Sequence, residues 1–265
     1  MYRIPVKGER LIKSNSLKIL HLILILFFCL TLQFPTKGFS ADFSINPIKI
    51  FFDSLNKTNI LAINNESDED LTLHLKAYTW EHNSKGKDIY APTKDIIFFP
   101  KIVTIKSNEE RIIRVGTKIS QGKQEKTYRI FIEEIPGSSP TETTAVKIIM
   151  KVGVPIFIMP QKMDARGSIE TLDIMQGELS VAVKNDGNIH FIVRSIKTEG
   201  IDEAGNSLFQ NEIGGGYVHG SNSKNFTIKI PEDNCPKLKS INIDISTDRL
   251  SMSKKIDIDK EMCAP

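Results

Sequence analysis

The chain has 265 residues, with 35 Lys and Arg against 32 Asp and Glu and a formal net charge of +3. Residues 1–40 hold six of the basic and one of the acidic residues, so the remainder carries 35 − 6 = 29 basic and 32 − 1 = 31 acidic side chains, a net charge of −2. A near-neutral chain without a basic stripe gives no reason to expect nucleic acid as a partner. Its length is sufficient for two cores of about a hundred residues each.

The first forty residues have the layout of a secretory signal peptide, because basic residues precede an apolar run from Ile19 to Leu32 and small residues follow it. We expect cleavage after Ser40 or after Ala41. Cys29 lies in the run and would leave with the signal. The run is shorter than the roughly twenty residues of a spanning helix. An uncleaved anchor is therefore the weaker alternative, and no membrane insertion is expected after cleavage.

The rest of the chain is a succession of short strand patterns without helical periodicity, which predicts an all-β fold. The first seven predicted strands are 43–52, 58–64, 71–80, 96–99, 110–115, 127–135 and 145–158. Seven strands fill one immunoglobulin-like sandwich. The turn-prone segment 161–167 then predicts an interdomain linker. The second set of predicted strands is 168–173, 178–184, 189–199, 207–211, 225–230, 239–246 and 252–258. The predicted organisation is a signal peptide (1–40), an N-terminal immunoglobulin-like domain (41–160), the linker (161–167) and a C-terminal immunoglobulin-like domain (168–265).

Two cysteines, Cys235 and Cys263, remain once the signal is removed. An even pair in an oxidising compartment predicts one disulfide. The last two strand patterns predict a hairpin that turns near Arg249, midway between the cysteines, which would bring them together at its open end. A metal site is the weaker interpretation, because two cysteines without nearby histidines are too few ligands.

In residues 145–154 five apolar side chains, at positions 146, 148, 150, 152 and 154, fall on one face of the predicted strand, and a Gly/Ser/Pro/Thr-rich loop at 136–144 precedes it. Such a flat apolar edge is usually guarded, since its unpaired backbone groups can pair with another chain. An open edge here would indicate that pairing is its function. The alternative is a strand interior to its own sheet with both faces covered.

Several motifs along the chain occur together in a particular order. They are Phe43-Ser44-Ile45-Asn46-Pro47, Asn64, Trp80, Thr93-x-Asp95 with Pro100, Arg111-x-x-Arg114-Val115, Tyr128-Arg129-Ile130, Glu134-Ile135-Pro136, Val154-Pro155-Ile156-Phe157 with Pro160, and Asn185-x-Gly187-Asn188-x-His190. In this order and spacing they resemble the periplasmic chaperones of the chaperone-usher pathway, which assemble pili and fimbriae. The resemblance covers the whole chain after the signal, and its Val-Pro-x-Phe end is similar to a divergent branch of the family.

The resemblance implies two immunoglobulin-like sandwiches at an angle with a cleft between them, in the periplasm. It also implies that the chaperone lends an edge strand to a pilus or fimbrial subunit, by donor-strand complementation, and delivers the subunit to an outer-membrane usher. Carried over by position, the donor side chains are Val146, Ile148, Met150 and Val152. Self-association through the same edge is left open.

In the family, basic residues of the cleft hold the subunit's terminal carboxylate. One such position falls on Lys49, where arginine is usual, and another, usually lysine, falls on Pro155. Arg129 is the candidate to replace the missing cation, and the alternative is a solvated surface arginine. Whether Pro155 alters the anchor is left open.

The resemblance also implies an ion-pair network that bridges the two domains. Its arginine falls on Arg114, and the matching acids fall on Glu125 and Asp248. Such a network tends to specify orientation more than it adds stability.

Other chemistries have little support. No histidine pair has a ligand spacing, so no metal is expected. No nucleophile elbow, P-loop or dinucleotide motif occurs, so neither an enzyme activity nor a cofactor is expected. The competing interpretation is an immunoglobulin-like fibre subunit or adhesin, which would lack a strand in one sandwich. A glycosidase or lectin module is a third interpretation, but a single tryptophan leaves little surface for stacking on sugars. The sequence does not identify the subunit, the fibre type or the usher.

Overall fold

Residues 43–83, 86–136 and 148–263 are described in a computed structural model of the protein. The predicted signal peptide and its cleavage site lie outside these residues. The described residues form eighteen β-strands and no α-helix, and their helical structure is limited to two short 3-10 helices, Cys235–Lys237 and Lys260–Cys263. Within the same ranges, no helix has the length and apolar character that a membrane crossing requires.

The first ten strands form sheets with one face on a core, and in most of these strands buried side chains alternate with more exposed ones. They are β1 (Phe43–Asn46), β2 (Ile50–Phe52), β3 (Thr58–Asn65), β4 (Leu71–His82), β5 (Asp88–Pro92), β6 (Ile96–Phe99), β7 (Ile102–Ile105), β8 (Glu110–Thr117), β9 (Lys126–Glu134) and β10 (Lys151–Ile158).

These strands form two sheets. One has the order β1-β3-β8-β6, and the other has the order β2-β10-β9-β4-β5, with β7 also paired to β4. The predicted first strand, 43–52, is divided between the two sheets, with Pro47 in the break between β1 and β2. Proline has no N–H for a ladder, which accounts for the break. One hydrophobic core, including Ile63, Leu75 and Ile130, lies between the two sheets.

The last eight strands form a second pair of sheets around a separate core. They are β11 (Gly167–Met175), β12 (Glu178–Asn185), β13 (Phe191–Ile201), β14 (Ser207–Gly214), β15 (Tyr217–Val218), β16 (Ser223–Lys229), β17 (Ser240–Thr247) and β18 (Ser251–Asp257). Their orders are β11-β12-β16 and β14-β13-β17-β18, with β15 paired to β13. The predicted fold class, two immunoglobulin-like sandwiches, is confirmed, while the domain boundaries stay a prediction.

The C-terminal hairpin and its disulfide agree with the prediction. β17 pairs with β18 in antiparallel register from Ser240↔Asp257 to Ser246↔Ser251. Cys235 and Cys263 are bonded, with their Cα atoms 5.7 Å apart and a sequence separation of 28. A closed loop of this length stabilises a domain by about 3 to 4 kcal/mol.

Candidate functional site

The N-terminal part of β10 is an open sheet edge. β10 pairs with β9 along its whole length, from Lys151↔Glu133 to Ile158↔Lys126. On its other side it pairs with β2 only at residues 156–158. Residues 151–155 therefore have no neighbouring strand on that side within the described part of the chain. Among the described residues, this segment is therefore at the edge of its sheet and not an interior strand.

The backbone of this edge is directed outward in a regular pattern. The Glu134 amide donates a hydrogen bond to the Met150 carbonyl at 3.0 Å, so the peptide group of Met150 faces β9. In an antiparallel pair, every second residue of a strand bonds to the same neighbouring strand, and the residues between them face the other way. The peptide groups of Lys151 and Gly153 therefore face the open side. Pro155 is the next residue of that series, and its missing N–H costs no bond to β9. The open edge thus ends where pairing with β2 begins.

The side chains on the core face of β10 form a stripe that runs from the core towards solvent. Val154 and Ile156 are buried in the first core, and Val152 and Met150 are packed against it while partly exposed. Ile148 is 74% exposed. Strand structure begins only at Lys151, later than predicted. Three of the four predicted donor residues, Ile148, Met150 and Val152, therefore extend this stripe, and Val146 lies outside the described residues.

An ion-pair ladder crosses the opposite face of the same sheet. The Glu133 carboxylate lies 2.6 Å from Lys151 Nζ and 2.9 Å from Lys76 Nζ. Hydrogen bonds from Lys151 and then Lys76 hold the pKa of Glu133 below its ordinary value. Lys151 Nζ also lies 4.6 Å from the centre of the Phe131 ring. These contacts join β10, β9 and β4 in one register and were not predicted from the sequence.

Arg129 belongs to β9, opposite Pro155 of β10, and its side chain lies in a closely packed site. Its guanidinium carbon is 3.8 Å from the centre of the Trp80 ring, and its Nη1 donates to the Tyr90 hydroxyl at 2.6 Å. Asp88 lies 3.8 Å from the same nitrogen, and the arginine side chain is only 17% exposed. Burial, and to a smaller extent the hydrogen bond to Asp88, raises the pKa of Tyr90 to about 12. Arg129 is therefore not a solvated surface arginine, and its charge already faces a carboxylate.

Lys49 has different surroundings. It lies immediately before β2, is partly buried, and its Nζ is 5.5 Å from the centre of the Tyr217 ring in the second sandwich. Among the described residues, no carboxylate forms an ion pair with it. Of the two predicted anchor cations, Lys49 is the one whose charge remains available.

A buried carboxylate connects the two sandwiches. Glu125, whose side chain is 1% exposed, accepts hydrogen bonds from His190 N at 2.8 Å and from His190 Nδ1 at 2.8 Å. The Phe157 ring stacks on His190 at 3.8 Å between centroids. Asn188 Nδ2 contacts the carbonyls of Lys123 and Lys162, each at 2.8 Å. The Asn-x-Gly-Asn-x-His motif therefore contributes two residues to this junction.

The predicted network of Arg114, Glu125 and Asp248 is not formed among the described residues. Ile113 and Val115 face the core, so strand alternation directs Arg114 outward, where it is exposed. In the described residues, neither acid is paired with it. Glu125 bonds His190, and Asp248 accepts from the Ile192 amide at 2.6 Å.

Comparison with known proteins finds a family match for the first sandwich. Residues 42–164 match the family model for pili and flagellar-assembly chaperones, PapD N-terminal domain. This part of the chain is therefore similar to that family. This is a family of chaperones and not of enzymes. No protein with a curated description matches the chain.

Solved structures of chaperones share the fold over most of the chain. A chain of the CsuC-CsuE chaperone-tip adhesion subunit pre-assembly complex, from the archaic chaperone-usher Csu pili of Acinetobacter baumannii, is 17% identical; 80% of this chain and 98% of that one are covered, with a TM-score of 0.57. The class 5 fimbriae chaperone CfaA is 13% identical, with 82% and 99% covered and a TM-score of 0.51. A chain of the Salmonella enterica SafA pilin complex with the SafB chaperone is 14% identical, with 83% and 98% covered and a TM-score of 0.51. These identities show the fold alone.

Proposed function

We propose that this protein is a periplasmic chaperone that caps a pilus or fimbrial subunit by donor-strand complementation and passes it to an outer-membrane usher. In this proposal the signal peptide, residues 1–40, is removed on export. The observation that carries the proposal is the open edge of residues 151–155, joined to the apolar stripe of Ile148, Met150 and Val152. The match of residues 42–164 to the pili and flagellar-assembly chaperones supports the same role.

Apolar insertion is the main source of affinity in this mechanism. Each donor side chain that becomes buried in a subunit groove contributes about 1.5 to 3 kcal/mol before ordering costs. The open peptide groups at Lys151 and Gly153 add main-chain hydrogen bonds to the subunit's own strand, as in other cases of strand addition. An exposed ion pair contributes only about 0 to 1 kcal/mol. Charge therefore sets the register of the subunit rather than the strength of its binding.

Lys49 is the residue that we assign to the subunit's terminal carboxylate. Its ammonium has no ion-pair partner in the described residues and lies beside Tyr217 at the junction of the sandwiches. A lysine holds a carboxylate as a point charge, without the two parallel bonds of a guanidinium. Arg129 is less suited because Asp88 and Tyr90 already occupy its Nη1.

The test is subunit capture by a chaperone with a charged donor stripe. Ile148→Asp combined with Met150→Asp places two carboxylates where the subunit groove is apolar, so we expect co-purified subunit to fall at least tenfold. The circular dichroism spectrum of the free chaperone should be unchanged, because Ile148 is exposed and Met150 only partly buried.

The matched control is Ile97→Asp with Ile112→Asp, which places the same charges on the other sheet at positions that are 48% and 52% exposed. We expect this variant to retain subunit. If the Ile148 and Met150 variant retained as much subunit as the unmodified protein, the donor-strand assignment would be refuted.

A further inference from the structure

A pair of stacked histidines lies between the two sandwiches, away from the open edge. The His82 ring, from β4, stacks on His219, which follows β15, with ring centroids 4.0 Å apart and planes 8° from parallel. The Trp80 ring meets His219 edge-on at 4.4 Å. Trp80 is 1% and His219 is 5% exposed, and the His82 side chain is fully buried. The contact therefore joins the end of β4 to the second sandwich.

The ring nitrogens of this pair have poor partners. His219 Nε2 and both ring nitrogens of His82 are buried without a hydrogen bond to the described residues. His82 Nε2 lies 3.1 Å from Asp88 Oδ1, but not in hydrogen-bonding geometry. Burial, aided by the proximity of His82 and His190, lowers the pKa of His219 to about 3. Burial also lowers the pKa of His82, although Asp88 opposes the shift. Both rings are thus neutral near pH 7.

Charged groups approach the pair from every neighbouring element, and cations are prominent among them. They are Glu81 on β4, Asp88 on β5, Glu125 before β9, Lys126 and Arg129 on β9, Asp95 before β6, His190 before β13 and Lys224 on β16. Glu125 is engaged by His190, and Asp88 accepts from the Tyr90 hydroxyl at 2.9 Å. A proton on the His219 ring would therefore be repelled by His82, His190 and Arg129, and only Asp88 would favour it.

We propose that His82 and His219 form an acid-sensitive latch that keeps the two sandwiches together at neutral pH and releases them when the His219 ring is protonated. Two stacked imidazoles pack well only when uncharged, since a charge in this dry contact loses its hydration. A hollow of about 510 Å³, lined by Trp80, His82 and His219, adjoins the rings. The hollow brings solvent to the border of the contact, while the ring nitrogens themselves stay buried.

The direction of the pH effect follows from the lowered pKa of His219. Above about pH 6.5, the ordinary value for histidine, the ring is neutral in the closed and the open forms and the latch is at full strength. As the pH falls from there towards about 3, the open form binds a proton that the closed form rejects. The ratio of open to closed molecules should then rise by up to about tenfold per pH unit.

Trp80 is the single tryptophan of the chain, so its fluorescence reports on this contact directly. On lowering the pH from 7.5 to 4 we expect the emission maximum to move to longer wavelength while the far-ultraviolet circular dichroism of both sandwiches is retained. His219→Phe keeps a ring against Trp80 but cannot be protonated, and its emission maximum should stay constant over the same range. His74→Phe, which changes another histidine of β4 outside the cluster, should respond like the unmodified protein.

A titration of the unmodified protein by nuclear magnetic resonance tests the latch without any variant. We expect the His219 ring resonances to keep their neutral position down to about pH 5, whereas those of an ordinary histidine change near pH 6.5. A His219 titration near pH 6.5, or an identical acid response of Trp80 in the unmodified protein and in His219→Phe, would overturn the proposal.

Discussion

Lys49 and Arg129 carry the same charge in very different surroundings. The guanidinium of Arg129 is stacked on Trp80 and bonded to Tyr90, so it acts as a structural element of the sheet. The ammonium of Lys49 contacts only an aromatic ring among the described residues. The difference in partners, rather than the charge itself, separates a candidate anchor from a packing residue.

The two cations should therefore respond differently to truncation. We expect Lys49→Ala to weaken subunit binding by up to about fivefold, since an exposed ion pair contributes about 0 to 1 kcal/mol, and to leave the melting temperature nearly unchanged. Arg129→Ala should lower the melting temperature because it empties a site between Trp80 and Tyr90, with a smaller effect on binding. Titration calorimetry with a purified subunit and thermal melts measure the two effects. A larger loss of affinity in Arg129→Ala would reassign the anchor.

At the scale of the strand, Gly153 determines how β10 and β9 fit together. A Cβ atom at this position would lie 2.7 Å from Arg129 Cδ and 3.0 Å from Phe131 Cε1. Glycine thus leaves the space in which Arg129 crosses the strand to reach Trp80. The open edge and the buried arginine depend on the same residue.

Gly153→Ala should accordingly destabilise the first sandwich by about 1 to 3 kcal/mol, the usual cost of overpacking. In an Arg129→Ala background the same change should cost less, because the closest contact has been removed. Urea unfolding of the four proteins gives this comparison. Gly214→Ala is the control, since a Cβ atom there meets nothing within 4 Å. An equal cost of Gly153→Ala in both backgrounds would show that Arg129 is not the cause.

The sequence predicted the positions of the strands better than it predicted which side chains contact each other. Alternation is a local signal, so each long strand, including β4 and β17, lies close to its predicted position. Three short strands, β5, β7 and β15, were missed because two to five residues carry too little pattern. The partners of Arg114 and Glu125 depend on how distant strands are placed in space, which no local pattern encodes.

At the scale of the whole molecule, the two cores are coupled through rings and hydrogen bonds, and among the described residues that join them Glu125 is a buried carboxylate. Its carboxylate satisfies both the amide and Nδ1 of His190, and its own amide donates to the Asn188 carbonyl at 3.0 Å. Removing the carboxylate leaves buried donors in the second sandwich without acceptors. The damage should therefore appear in the coupling of the sandwiches more than in either core.

Glu125→Ala tests this coupling, with Arg114→Ala as the matched control. Each unsatisfied buried group costs about 1 to 3 kcal/mol, all of it at the junction, so we expect the calorimetric unfolding peak to broaden or divide. The ratio of calorimetric to van't Hoff enthalpy should rise above that of the unmodified protein, because the sandwiches no longer unfold together. Arg114 is exposed on the outer face of β8, so its truncation should leave this ratio unchanged. If Arg114→Ala divided the transition and Glu125→Ala did not, the junction would depend on the arginine network and not on His190.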